Sequence, residues 1–105
     1  GQTALSNWIH EFMDTVKHET GVEPILHVNS DYANNYLDAS VARYGLWIAH
    51  RTYDAEATPN TGIWDNCTFW QYSDQGSVPG IAGNVDVDLF DGDRSRLNDF
   101  IIRAN

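Results

Sequence analysis

The sequence predicts an α/β fold in the form of half of a TIM-like β/α barrel, and three observations lead to this class. Helical and strand-like patterns follow in the order α-β-α-β-β-β-α, with the last strands joined by loops rather than helices. Most of the strands read as near-continuous apolar runs, which is typical of strands covered on both sides in parallel sheets and barrels. A complete eight-stranded barrel needs roughly 200 residues or more, whereas this chain has 105 residues.

The first element is predicted to be an amphipathic helix. Thr3 is expected to cap its start, and Gly21 stands where a left-handed C-terminal residue is wanted. The apolar residues between them recur at the helical spacing of three and four, and they are Leu5, Trp8, Ile9, Phe12, Met13 and Val16.

A strand, a short helix and a second strand follow. Pro24 precedes the apolar run Ile25–Val28, which predicts a buried strand. Residues 30–37 combine capping side chains with an apolar face and predict a helix. Leu46–Ala49 is the second apolar strand. The polar stretch Arg51–Asn66 contains Pro and Gly residues and is predicted to be a loop.

The second half of the chain contains two further strands and a closing helix. Cys67–Tyr72 is rich in β-forming residues, and Val85–Leu89 alternates between apolar and acidic residues. Between them, Ser73–Gly83 carries several Gly residues and one Pro and is predicted to be a loop. Apolar residues within 97–101 indicate the short closing helix.

The acidic balance of charge excludes several classes of partner. The chain has 6 Lys and Arg residues against 15 Asp and Glu residues, which gives a formal net charge of −9. This charge repels phosphate backbones and anionic lipids, so we expect no nucleic-acid partner and no membrane partner. The sequence also lacks an apolar run of about 18 residues, the length that a transmembrane helix requires.

The sequence predicts neither a metal nor a cofactor. Its single cysteine, Cys67, excludes an intrachain disulfide framework and a cysteine-based zinc site, and we expect it to pack as a small apolar residue. His50 ends the second predicted strand, where the sites of barrel enzymes gather. His27, His50 and Asp86 are conceivable metal ligands. No tight spacing such as His-x-x-x-His supports that alternative.

Three segments in the second half of the chain resemble a known signature. They are Thr68–Ser73 (TFWQYS), Gly76–Ile81 (GSVPGI) and Gly83–Phe90 (GNVDVDLF). Together they resemble the C-terminal signature of the glycoside hydrolase family 25 lysozymes, the Chalaropsis-type N-acetylmuramidases. Thr20–Leu26 resembles the family's helix-to-strand passage and Leu46–His50 its following strand, so the resemblance covers nearly all of the chain.

The resemblance implies that residues 1–105 are the C-terminal half of a single catalytic domain, a modified β/α barrel. It implies a lysozyme, or 1,4-β-N-acetylmuramidase, that cleaves the bond between N-acetylmuramic acid and N-acetylglucosamine in peptidoglycan. The family's Asp-x-Glu motif with the proposed general acid lies just before the helix that begins near Thr3, and we expect both the N-terminal half of the domain and this motif to be absent from the chain. We therefore interpret Gly1 as a cut end and expect the isolated chain to be inactive.

Asp86 and Asp88 are the candidate active-site carboxylates. Glycosidic cleavage uses two carboxyl groups, one to protonate the leaving oxygen and one to stabilise the positive centre. The two aspartates stand two residues apart on a predicted strand, so they point to one face. By resemblance, Asp86 matches the family's auxiliary aspartate, whereas Asp88 either contacts substrate or closes the strand end. A solvated strand face without chemistry is the alternative.

Other strand residues are candidates for substrate binding. Trp47 and Tyr72 offer flat surfaces that suit sugar rings, with core packing as the alternative. Gln71 needs hydrogen-bond partners if it is buried, and it would hold either a substrate group or a loop backbone. His27 and Asn29 share one face of the first strand and are expected to contact sugar, although a satisfied, barrel-lining His27 is also compatible with the pattern.

Two classes of function remain open from the sequence. The first is the muramidase, and the second is a non-catalytic glycan-binding or structural half-barrel fragment. Peptidoglycan glycan strands are the expected partner in both the enzyme and the glycan-binding protein. Because a half-barrel exposes two sheet edges, we also expect either a missing N-terminal half-barrel or self-association. The expected location is extracellular, or at the cell wall after delivery by a phage.

Overall fold

The computed structural model of the chain describes residues 1–102. Its helices and strands are α1 (Gln2–Thr20), β1 (Leu26–Asn29), α2 (Ser30–Asn35), β2 (Leu46–Ala49), β3 (Phe69–Gly76), β4 (Val85–Phe90) and α3 (Arg94–Leu97). Two 3-10 helices cover Ala39–Arg43 and Asn98–Phe100. The α/β class is confirmed. None of the helices described has both the length and the apolar character needed to cross a membrane.

The four strands form one mixed sheet in the order β1-β2-β3-β4. The first three strands are parallel, as their apolar runs predict, whereas β4 pairs antiparallel with β3. The connection from β3 to β4 covers only residues 77–84. A parallel crossover needs roughly a dozen residues or more, so this short loop leaves only the antiparallel arrangement.

The observed elements depart from the predicted bounds in the second half of the chain. β3 continues to Gly76 because its last residues pair with Val85 and Val87 of β4, with two register shifts along the way. The predicted closing helix is divided into α3 and the second 3-10 helix. Asp93 caps α3, since its Oδ1 accepts a hydrogen bond from the Arg96 N–H at 2.9 Å.

One face of the sheet carries the hydrophobic core. Leu46, Ile48 and Trp70 project from this face and are almost completely buried. They join a cluster contributed by the helices and loops, which consists of Ile9, Met13, Ala33, Leu37, Val41, Tyr44 and Trp64. Because side chains alternate along a strand, the intervening residues of β1, β2 and β3 project from the opposite, open face of the sheet.

α1 matches the predicted helix but differs from it at two points. Its N-cap is Gly1, so the predicted cap at Thr3 is wrong, whereas Gly21 ends the helix with the expected left-handed φ of 71°. Trp8 and Phe12 were expected in the apolar face but are 59% and 51% exposed. The two rings are exposed because the core contacts the adjacent stripe of the helix. They stack on each other with ring centroids 5.5 Å apart.

Polar contacts fasten α1 to the segment that leads into β2. The buried Ser6 hydroxyl accepts a hydrogen bond from the Asp38 N–H at 2.9 Å. His10 contacts the Tyr44 hydroxyl through Nδ1 at 2.6 Å and the Ser40 hydroxyl through Nε2 at 2.7 Å. These bonds hold the first 3-10 helix in place and so position the start of β2.

Candidate functional site

A cleft of about 410 Å³ opens where β1 and β2 end. The carboxyl ends of parallel strands are where barrel enzymes place their active sites. The residues that line this opening, called here the strand-end cleft, are His27, Val28, Asn29, Ala49, His50, Arg51 and Gln71. The fold therefore brings together three of the residues predicted to bind substrate, namely His27, Asn29 and Gln71.

His27 and Trp47 form an aromatic platform beside the cleft. They are partners in the parallel register of β1 and β2, and their ring centroids lie 4.3 Å apart with planes inclined by 19°. Trp47 is 37% exposed and His27 is exposed as well. An exposed flat ring can cover the apolar face of a flat ligand while the ligand's polar edge stays hydrated.

The platform also holds the carboxylate of Asp88. The Trp47 indole N–H donates a hydrogen bond to Asp88 Oδ1 at 2.8 Å. Asp88 stands opposite Gln71 in the register of β3 and β4, and Gln71 in turn stands opposite Ala49 of β2. Asp88 therefore belongs to the open face of the sheet and is oriented by an aromatic side chain two strands away.

Gln71 is a buried polar side chain that opens into the cleft. The residue is only 4% exposed, and its amide forms no hydrogen bond with any residue of the described range 1–102. No fully enclosed side-chain N or O atom lacks a partner in the described part of the chain, so the Gln71 amide is reached from the cleft. A buried amide of this kind is satisfied by water or by a ligand.

Asn29 and His50 each use one side-chain polar atom in a hydrogen bond within the protein and keep a second polar atom without one in the described residues. Asn29 caps α2, since its Oδ1 accepts a hydrogen bond from the Tyr32 N–H at 2.9 Å, and its amide N–H groups remain as donors. His50 Nδ1 accepts a hydrogen bond from the Asn60 N–H at 2.9 Å. In the neutral imidazole the proton is therefore on Nε2, which leaves this residue of the cleft lining with a hydrogen-bond donor.

Comparison with known proteins identifies the family. The model of the family described as Glycosyl hydrolases family 25 matches residues 1–81. The chain belongs to this family. Family 25 relatives include Lysozyme M1 of Streptomyces globisporus, which is 30% identical over 98 residues. The alignment covers 90% of this chain and 33% of the relative. The resemblance noted in the sequence is confirmed.

Solved structures with this fold agree. The lysozyme of Streptomyces coelicolor superposes with a TM-score of 0.78 at 29% identity, covering 92% of this chain and 45% of that one. The muramidase of Acremonium alcalophilum gives a TM-score of 0.72 at 30% identity, covering 95% and 46%. This family 25 chain thus spans about a third of the length of the curated relatives it matches and less than half of these two structures.

Asp86 is not among the residues that line the strand-end cleft. It is exposed on β4 and makes no side-chain hydrogen bond or ion pair within residues 1–102. It stands two residues before Asp88 along the strand, at the end of β4 that adjoins the carboxyl end of β3. β4 lies beyond the range matched by the family model, so the auxiliary role of Asp86 stays a prediction.

The expectation that the chain contains no Asp-x-Glu motif is wrong, because one such triplet occurs, although not where the family resemblance places it. Asp54 and Glu56 lie in the loop after β2. Asp54 Oδ1 accepts a hydrogen bond from the Glu56 N–H at 2.9 Å, and the Asp54 carbonyl accepts one from the Thr52 hydroxyl at 2.9 Å. Both carboxylates are exposed. In this setting the triplet forms a local turn rather than a strand-borne acid.

Tyr72 and the conceivable metal ligands are not brought into the cleft as a group. Tyr72 packs against the core beside Trp70, with ring centroids 5.8 Å apart, so its role in substrate binding stays a prediction. Within residues 1–102, no three His, Cys, Asp or Glu side chains lie close enough to hold a metal ion. His27, His50 and Asp86 therefore do not form a metal site.

A second cleft, of about 390 Å³, lies beside the start of β3 and the end of β4. It is lined largely by loop residues and by Cys67, whose thiol pKa is raised mainly by burial. A raised pKa keeps the thiol neutral, which argues against a nucleophilic cysteine. The cleft contains none of the predicted site residues and lies away from the carboxyl ends of the parallel strands β1, β2 and β3, so the strand-end cleft is the better candidate.

Sequence reasoning placed His50 at the end of a strand, where barrel sites gather, but it missed Arg51, which it assigned to the following loop. Both follow directly after β2 in the chain, and position after a parallel strand is the signal that predicts cleft residues in a barrel. Asn60, which fixes the His50 tautomer, is ten residues away and carries no comparable local signal.

Proposed function

We propose that this chain forms the substrate-binding wall of a peptidoglycan hydrolase. The reaction proposed is that of a 1,4-β-N-acetylmuramidase, which cleaves the bond from N-acetylmuramic acid to N-acetylglucosamine. Family membership and relatives named lysozyme and muramidase support this assignment. The observation that carries it is the exposed platform of His27 and Trp47 next to the open amide of Gln71.

The platform and the cleft suit the two sides of an N-acetylated sugar. One face of a pyranose ring presents C–H groups, and these pack favourably on an exposed indole such as Trp47. The edge of the ring carries hydroxyl and N-acetyl groups, and these accept or donate hydrogen bonds. The Gln71 amide and the His50 Nε2–H supply the matching groups within the same cleft.

Asp86 is proposed as the auxiliary carboxylate of the reaction. Asp88 is held by Trp47 and orients the binding platform, whereas the Asp86 carboxylate has no partner among the residues described. A carboxylate left free in this way can face the positive charge that develops on the sugar ring. We propose that the proton donor comes from a chain segment outside these 105 residues, because Glu56 lies in an exposed turn.

The mixed sheet is proposed to be half of the modified barrel. β1 and β4 are its two edges, and each pairs with a neighbour on one side only. Unpaired strand edges tend to pair with other strands. An N-terminal half-barrel would pair with these edges and close the open face over the strand-end cleft, and a second copy of the chain is the alternative partner.

Binding of a soluble glycan tests the proposed substrate. The chain is titrated with oligomers of N-acetylglucosamine and N-acetylmuramic acid, and binding is followed by calorimetry. Trp47→Ala removes the larger ring of the platform, and we expect a roughly tenfold loss of affinity, equivalent to about 1.4 kcal/mol. Trp8→Ala removes an exposed tryptophan from α1 and is the matched control. No binding by the wild type, or equal losses in both variants, contradicts the proposal.

The same oligomers distinguish a chain that only binds glycan from one that also hydrolyses it. We expect the isolated chain to bind the oligomers without releasing new reducing ends. Release of reducing ends that is abolished in Glu56→Gln would place the proton donor in the loop after β2 and contradict our assignment.

A non-catalytic glycan-binding or structural fragment is the second candidate function. The observation that favours it is that Asp86 is exposed and is not among the residues that line the strand-end cleft. Such a protein would stay inactive when the N-terminal half of the domain is supplied in the same polypeptide, whereas the proposed muramidase would become active. The proposed place of action in either case is the bacterial cell wall, outside the membrane.

A further inference from the structure

We propose that Arg51 forms a carboxylate-binding subsite at the rim of the strand-end cleft and selects the acidic sugar of the glycan. The inference rests on the proposed function and deepens it. N-acetylmuramic acid differs from N-acetylglucosamine by a lactyl ether, which ends in a carboxylate when no peptide is attached. Where a peptide is attached, the carboxylates are those of the peptide.

The distribution of charge points to Arg51. Among the residues that line the cleft, Arg51 is the one Lys or Arg side chain. The chain as a whole carries a net charge of −9, so a ligand carboxylate is repelled by most of the surface. Within the cleft, Arg51 is therefore the side chain whose charge attracts a ligand carboxylate.

The main chain around Arg51 is firmly held. The Thr52 N–H donates to the His50 carbonyl at 2.9 Å and makes a tight turn centred on Arg51. On either side of this turn, the N–H groups of His50 and Tyr53 donate to carbonyls of β3 at 3.1 and 2.9 Å. Tyr53 adopts a left-handed φ of 58°, which is uncommon for a residue other than glycine and is found preferentially at binding sites.

Neighbouring residues orient the Arg51 side chain but leave some of its hydrogen-bond donors free. Its Nε lies 3.5 Å from Asp74 Oδ2, while Asp74 Oδ1 accepts a hydrogen bond from the Tyr53 hydroxyl at 3.0 Å. This hydrogen bond raises the pKa of the Tyr53 phenol and keeps it a donor. The Arg51 side chain is 51% exposed, and its two terminal nitrogens have no partner among the described residues. These nitrogens form the planar fork that binds a carboxylate in bidentate fashion.

The resulting arrangement has one neutral part and one charged part. The platform and the Gln71 amide suit an uncharged N-acetylated ring, and Arg51 lies on the rim of the same cleft. A ligand with a carboxylate attached to its sugar ring engages both parts. A chitin oligomer, which carries no carboxylate, engages only the first.

Three ligands of equal length test this subsite. They are chitin oligomers, peptide-free oligomers of N-acetylglucosamine and N-acetylmuramic acid, and the methyl ester of the latter. We expect the wild-type chain to bind the free acid roughly tenfold more tightly than the ester or chitin, with a preference that weakens in high salt. A fourth ligand, in which a peptide blocks the lactyl group, distinguishes the lactyl carboxylate from carboxylates of the peptide.

Two variants of the salt bridge complete the test. Arg51→Gln is expected to abolish the preference for the free acid, whereas Arg94→Gln on α3, the matched control for charge, is expected to keep that preference. Asp74→Asn keeps an acceptor for Tyr53 but frees Arg51, so the preference should rise. Equal binding of all ligands by the wild type, or a preference that survives in Arg51→Gln, overturns the subsite. If all ligands bind equally, the subsite is contradicted but the proposed glycan binding is not. If neither chitin nor the acidic glycan binds, the proposed function itself is contradicted.

Discussion

At the scale of single residues, Asn60 connects the cleft to the body of the protein. Its N–H donates to His50 Nδ1 at 2.9 Å, and its carbonyl accepts a hydrogen bond from the Ser30 hydroxyl at 2.8 Å. Its side-chain oxygen accepts from the Asn34 amide at 3.0 Å and from the Gly62 N–H at 3.1 Å. One loop residue thereby joins α2 to the histidine of the cleft.

Gly62 allows this loop to approach α2, and its replacement is a test at the residue scale. Gly62 has a φ of 60°, and an added Cβ would lie 2.4 Å from the Ala33 carbonyl oxygen. We expect Gly62→Ala to lower the free energy of unfolding by about 2 kcal/mol or more, measured in urea. Gly80→Ala is the matched control, because Gly80 also has a positive φ but has open space around it. Equal losses in the two variants would contradict the role of the close approach.

At the scale of elements, the first 3-10 helix links α1 to β2 through its cap. Asp38 precedes this helix, and its Oδ1 accepts hydrogen bonds from the Ser40 N–H and the Ser40 hydroxyl. These hydrogen bonds, the one from the hydroxyl foremost, lower the pKa of the Asp38 carboxyl. The charged form of Asp38 is therefore favoured in the folded protein. The 3-10 helix that it caps leads into β2, where Trp47 pairs with His27 beside the cleft.

The lowered pKa of Asp38 predicts a dependence of stability on pH. A carboxyl group whose pKa is lower in the folded state stabilises the protein above its unfolded pKa, near 3.9. That stabilisation is lost as the pH falls through the folded pKa. Between pH 5 and pH 2.5 we expect the wild type to lose more free energy of unfolding than Asp38→Asn does. Glu11→Gln, on the exposed side of α1, is the control and should behave like the wild type.

At the scale of the whole molecule, the chain exposes more surface than a compact protein of its size. Its accessible surface is 7216 Å², whereas a compact monomer of this mass exposes about 5,900 Å². Its radius of gyration is 15.2 Å, against about 13 Å for a compact domain. The exposed aromatic pairs Trp8–Phe12 and Tyr32–Tyr36 add apolar surface outside the cleft. This surface and the two sheet edges are what a partner would cover.

The surplus surface predicts association in solution. We expect the isolated chain to elute as a dimer or larger species when size-exclusion chromatography is combined with light scattering. Covering apolar surface and unpaired strand edges is the physical reason. A well-behaved monomer of 11.8 kDa at high concentration would contradict the expectation.

Much of the fold could be predicted because its signals are local. The spacing of apolar residues in α1, the left-handed Gly21 and the run Leu46–Ala49 each depend on neighbours in sequence, and the structure agrees with them. Thr3 was misjudged as a cap because Gly1 takes that position. The exposure of Trp8 was missed because an apolar stripe does not reveal which part of it meets the core.

The sequence by itself determined the family, the α/β class and the strands that carry His27, Trp47, Gln71 and Asp88. Only the tertiary structure decided that the Trp47 indole donates a hydrogen bond to Asp88 and that Arg51 forms an ion pair with Asp74. The physical reason is that such contacts depend on the register between strands and on how a loop folds back across a sheet. These contacts join residues far apart in sequence, and no local pattern of residues encodes them.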